Sequence, residues 1–123
     1  MIINDVTAVV IDSAMEVHTA LGPGLLESAY ESCLKHELNS RNIKVVSQLA
    51  LPITYKNNTI DSGYRIDLLV DDQLIVELKT VDKVLPIHEA QLLSYLKMSK
   101  LKIGLLLNFN VTRLKYGIKR LAN

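Results

Sequence analysis

Two strand-like segments hold the residues with the most chemical potential. YRIDLLV (64–70) and LIVELKT (74–80) are nearly continuous apolar runs, as strands covered on both faces tend to be, and only charged residues break them: Arg65 and Asp67 in the first, Glu77 and Lys79 in the second. Side chains two apart on a strand share a face, so Glu77 and Lys79 project together. Register decides whether Asp67 joins them. If Asp71-Asp72-Gln73 is a three-residue loop, Val70 pairs with Leu74, Asp67 lies opposite Glu77 and Arg65 opposite Lys79. A two-residue loop would pair Asp67 with Val76 and turn Glu77 away. Adjacent carboxylates in apolar strands repel unless a cation lies between them. Lys79 and Arg65 could be that cation, and the charges would then be cross-strand salt bridges. The other solution is a hard divalent ion taking oxygen ligands.

Helices must flank these strands. Asp5 to Leu21 places Val6, Val9, Val10, Ala14, Val17 and Leu21 at helical spacing, with Asn4 or Asp5 as N-cap and Gly22-Pro23 as the stop. A second helix is expected from about Leu25 to Arg41, burying Leu26, Tyr30, Cys33, Leu34 and Leu38. Glu27 falls at the edge of that stripe, where an unpaired carboxylate is costly, although an acid in the first turn also suits the helix dipole. Leu49, Leu51, Ile53 and Tyr55 alternate as a strand does, and Asn57-Asn58 suits a tight turn. Pro86 opens a helix over Ile87 to Ser99, on which His88, Gln91 and Tyr95 share the face toward the sheet. Gln91 and Tyr95 could satisfy each other or a ligand phosphate. KIGLLLNF (102–109) reads as another strand, and Val111 to Leu121 is open between a strand and a helix. The expectation is a mixed α/β domain spanning 1–123, without a linker or internal repeat.

Composition excludes several classes. Of 123 residues, 49 % are apolar and 22 % charged, which fits a globular chain rather than a disordered one. One cysteine, Cys33, allows neither an internal disulfide nor a cysteine metal cluster and fits a reducing cytoplasm. It is expected as a buried thiol, with His18 and His36 as surface imidazoles. No segment has the roughly 18 to 20 apolar residues that cross a membrane, and MIINDVTAVV does not read as a signal peptide. The net charge of +1 conceals an asymmetry: six acids and one base precede residue 41, whereas seven bases and no acid follow Glu89. A basic tail suits a polyanion such as nucleic acid, or the acidic half of a neighbouring subunit in a homo-oligomer.

GLLESAY (24–30) is similar to the Gly-x-x-Glu-x-x-Tyr signature of the family named for it. That family resembles the PD-(D/E)xK nuclease superfamily, whose core runs helix, antiparallel three-stranded hairpin system, helix, strand. Here the superfamily's acidic residue looks like Asp67 and its (D/E)xK element reads Glu77-Leu78-Lys79. Gln91-x-x-x-Tyr95 is similar to the QxxxY element of the RecB-like nucleases. The resemblance extends from about Gly22 to Leu121, with Arg65-Ile66 standing where the superfamily name has a proline. It implies a metal-dependent phosphodiesterase acting on DNA or RNA. Asp67 and Glu77 would bind Mg²⁺ or Mn²⁺, with the Leu78 carbonyl and Glu27 as further ligands. Lys79 would orient the attacking water, and Gln91 and Tyr95 would position the substrate backbone. A nuclease fold kept as a binding or scaffold module with little activity is the alternative.

Overall fold

The computed structural model describes residues 1–123. Helix α1 (Ile3–Leu21) buries Val6, Val10, Ala14 and Val17 at three- and four-residue intervals. Its N-cap is Ile2, without a side-chain cap, so Asn4 and Asp5 lie inside the helix and Asp5 meets the positive end of the dipole in the first turn. Gly22 ends it at φ 67°, a conformation that costs a residue without Cβ little. Helix α2 (Glu27–Ser40) buries only Tyr30, Leu34 and Leu38. Leu26, expected in that stripe, precedes the helix and is 76 % exposed, and Cys33 is exposed too. The buried line follows strict four-residue steps, which leaves Cys33 on its solvent side.

Strand β1 (Val45–Ala50) does not run on to Tyr55: the chain leaves it at Leu51-Pro52. Strands β2 (Ile53–Tyr55) and β3 (Asn58–Ile60) make a separate hairpin. Its turn is Lys56-Asn57, at φ 47° and 65°, one residue earlier than the expected Asn57-Asn58. Two-residue hairpin turns of this hand need both central residues at positive φ, and Asn58 instead pairs with Tyr55. Strands β4 (Arg65–Val70) and β5 (Leu74–Lys79) form the central hairpin. Helix α3 (Pro86–Ser99) then crosses to β6 (Ile103–Asn108), parallel to β5. The tail resolves into a 3₁₀ turn (Leu114–Gly117) and strand β7 (Ile118–Ala122).

The main sheet has the order β1-β4-β5-β6-β7 and is antiparallel except at β5–β6. Helices α1 and α2 cover one face, packing on Leu68, Val70, Val76, Leu105 and Leu107. Helix α3 covers the other through Leu92, Tyr95 and Leu96 against Ile66, Ile75 and Leu106. Burial on both sides explains why β5 and β6 read as nearly continuous apolar runs. His18 is a correction. It is 7 % exposed, not a surface imidazole, and its Nε2 lies 2.9 Å from the Val111 carbonyl and 3.2 Å from that of Phe109. The buried ring holds the chain leaving β6 against α1. No helix is long and apolar enough to cross a membrane.

The turn into β7 closes tightly. A Cβ on Gly117 would run into the backbone carbonyl of Asn108 and press on the Val111 side chain. Backbone cannot retreat as a flexible side chain can, so Gly117→Ala should lower stability by about 1–3 kcal/mol. Urea unfolding at unchanged m-value checks this, and a variant as stable as the parent would contradict the described packing.

Candidate active site

The expected register is the observed one: Val70 pairs with Leu74 and Leu68 with Val76, across the loop Asp71-Asp72-Gln73. Backbone pairing then stops. At the next step Asp67 and Glu77 face each other, and their carboxyl groups replace the missing ladder. The Asp67 N–H donates to Glu77 Oε1 at 3.2 Å, and the Leu78 N–H donates to Asp67 Oδ2 at 2.9 Å. Backbone donors are thereby satisfied where the strands separate. Glu77 is only 5 % exposed. Burial, and then the Asp67 charge beside it, push its pKa from 4.5 up to about 9. At neutral pH and without a cation, Glu77 therefore carries a proton.

The cross-strand salt-bridge reading fails here. None of the ion pairs in the chain includes Arg65, Asp67, Glu77 or Lys79. Lys79 ends β5 with its ammonium unpaired, acting on Glu27 and Glu77 only through its field. Its backbone is fixed from β6: the Lys79 carbonyl accepts the Phe109 N–H at 2.9 Å. Asn108, 3 % exposed, clamps the following loop by accepting the Val81 N–H at 3.1 Å and donating to the Val81 carbonyl at 2.9 Å. The only sequence signal for Asn108 was an amide closing an otherwise apolar run.

Helix α2 delivers more carboxyls. The Tyr30 hydroxyl donates to the Gly22 carbonyl and accepts the Leu25 N–H, and its ring stacks on Phe109 at 4.5 Å. These contacts anchor the loop that starts α2, and with it Glu27. Burial raises the Glu27 pKa; Lys79 opposes this, and Asp67 adds to it. Glu31, one turn on, is raised by burial as well, and its Oε1 accepts a 2.7 Å bond from Gln48 Nε2. Gln48 also reaches Asp67 Oδ1 at 3.5 Å. Sequence reasoning missed both residues. Glu31 was legible as the i+4 neighbour of Glu27, whereas Gln48 occupies φ 52° in mid-strand and announced nothing.

Helix α3 approaches from the opposite face. His88 is absorbed by the helix start, its Nδ1 accepting the Leu85 N–H at 3.0 Å. Gln91 and Tyr95 line one groove and no hydrogen bond joins them, so of the two alternatives left open the mutual pairing is not the one found. Burial, then the nearby Glu77 charge, push the Tyr95 phenol up to about 12, so it stays protonated.

A profile of the PD-(D/E)XK nuclease superfamily matches residues 4–121. The chain belongs to that superfamily, and its three helices and mostly antiparallel five-stranded sheet agree with that fold. Comparison with curated proteins and with solved structures finds no match.

Members of such a superfamily generally use a divalent metal, so the fit of the site to one matters. No three or more His, Cys, Asp or Glu side chains converge to hold an ion. The centre offers instead two facing carboxyls of hard oxygen donors with no counter-ion, and a proton on Glu77 where a cation could sit. Such a set suits Mg²⁺, which keeps several waters and needs only one or two protein carboxylates.

The raised Glu77 pKa has a thermodynamic consequence for metal-free protein. The folded chain keeps a proton that the unfolded chain releases between pH 4.5 and about 9. Its stabilising effect is complete below that window and is lost as pH rises through it. Glu77→Gln retains the shape and both hydrogen-bonding directions of the protonated acid. In chelator, the variant should lose less stability than the parent across the window, keeping only the slope of the raised Glu27 and Glu31, and the difference should grow with pH by at most about 1.4 kcal/mol per pH unit. A parent protein that gains stability over the same range would contradict the buried, protonated Glu77.

Proposed function

We propose that the chain is a divalent-metal-dependent nuclease that hydrolyses phosphodiester bonds in DNA or RNA, with Asp67, Glu77 and Lys79 at its centre. One observation carries this reading: the buried Glu77 carboxyl meets the half-buried Asp67 carboxyl without a counter-ion at the open end of β4–β5, while an unpaired ammonium stands two residues along the same strand as Glu77. A structural ion-pair network would have closed those charges on one another. Asp67 and Glu77 would hold Mg²⁺ or Mn²⁺, with the Leu78 carbonyl as a further donor and Glu27 acting directly or through water. The bound ion would supply polarisation of the phosphate and a lower pKa for water at the site.

The chain's own groups do the rest. An ammonium has no lone pair for a metal, so Lys79 orients the attacking water and offsets charge building on the phosphoryl oxygens. Tyr95, protonated throughout the working range, donates to the substrate backbone, and Gln91 beside it fixes the strand's position. A second reading, a nuclease fold with little turnover, draws on the backbone N–H groups that already engage both carboxyls.

Lys79→Met separates the two. It keeps the apolar stem and removes only charge. The nuclease reading expects Mn²⁺ binding by calorimetry to persist while single-turnover cleavage falls by about two orders of magnitude or more. Asp67→Ala should instead abolish Mn²⁺ binding in a folded protein. Undiminished cleavage by well-folded Lys79→Met would refute its role, and parent protein that binds no Mn²⁺ at millimolar concentration would refute the metal centre.

A further inference from the structure

A groove of about 700 Å³ opens between the β2–β3 hairpin and α3, within the roughly 300–1,000 Å³ of small-ligand pockets. Its walls are largely apolar and aromatic: Ile53 from the hairpin, Tyr64 just before β4, and Ile87, Tyr95 and Met98 from α3. Tyr64 is 43 % exposed and Ile87 68 %. The two tyrosine rings meet at a tilt of 59° with centroids 5.9 Å apart. No Asp or Glu lines the groove, and Lys97 stands on its rim.

The groove adjoins the carboxyl centre. Tyr95 lines it and also lies in the field of Glu77 and Asp67. Tyr64 stands three residues before Asp67 in the same run of chain. A strand whose phosphate reaches Asp67 and Glu77 would bring its neighbouring nucleotide to Tyr64. Phosphates and sugars gain nothing from an apolar floor, whereas a base does, through stacking on an aromatic ring. Bases in an intact duplex are already stacked and paired, so only an unpaired one can enter without first being flipped out.

We infer that this groove holds an unpaired base next to the cut, which makes single-stranded nucleic acid the substrate class. The inference rests on the nuclease reading for its link to cleavage, but base binding itself can be read separately. Fluorescent single-stranded DNA and RNA of one sequence, and the blunt DNA duplex, are titrated in Ca²⁺ by anisotropy and then digested in Mn²⁺. The variants are Tyr64→Ala, Tyr64→Phe and Ile87→Ser, the last at a site too exposed to unfold the chain.

At least one single strand should bind about tenfold more tightly than the duplex. Tyr64→Ala should lose about tenfold in that binding, Tyr64→Phe should keep it, and Ile87→Ser should weaken it. The DNA and RNA arms show which sugar the site accepts. Equal binding of duplex and single strand, or single-strand binding untouched in both Tyr64→Ala and Ile87→Ser, would overturn the assignment. Tyr64-dependent binding without cleavage in any metal would sink the nuclease reading and leave the groove standing. Cleavage with no strand preference would do the reverse.

Discussion

Everything at the functional end of this molecule depends on two carboxyl groups placed where a β-ladder should continue. Asp67 and Glu77 take up the backbone N–H groups of Leu78 and Asp67 where the pairing of β4 with β5 stops. The arrangement is stable only while the pair carries fewer than two negative charges or has a cation beside it, because burial penalises the ionised forms. A proton meets that requirement in the free chain.

The rest of the fold holds this junction still from three directions. Behind it, β6 supplies the Lys79 carbonyl's partner and the Asn108 clamp on Val81. On one face, Tyr30 seals the Gly22–Leu25 loop and stacks on Phe109, which ties the start of α2 to the end of β6. His18 does the same for α1 through the carbonyls beyond β6. On the other face, α3 seats Tyr95 against the acids while keeping its groove side open. Fixed backbones hold the side chains of the site in one arrangement, the kind of preorganisation that electrostatic stabilisation of a developing charge requires.

Charge is distributed to match. The acids gather on α2 and the central hairpin, where Glu27, Glu31, Asp67 and Glu77 act on one another. Of the basic tail, Lys119 is spent on Glu89 and Arg120 on Asn4. Lys97, Lys100, Lys102, Arg113 and Lys115 enter no ion pair and stay exposed.

Sequence by itself determined the two elements that define the centre. Near-continuous apolar runs marked β4, β5 and β6, two of which are buried on both faces, and a three-residue loop, one of the two the sequence allowed, brings Asp67 against Glu77. Period and turn chemistry also located all three helices to within about two residues. Only the tertiary structure decided what depends on neighbours distant in the chain. Cys33 and His18 exchanged their expected places, since burial is set by which helix packs where and not by residue type. Gln48 and Asn108 gained roles from contacts spanning 17 to 27 residues, beyond the reach of any local pattern. The groove beside Tyr95 exists because a hairpin and a helix, each unremarkable in sequence, leave a gap that neither fills. Local periodicity encodes elements; long-range packing encodes the site they enclose.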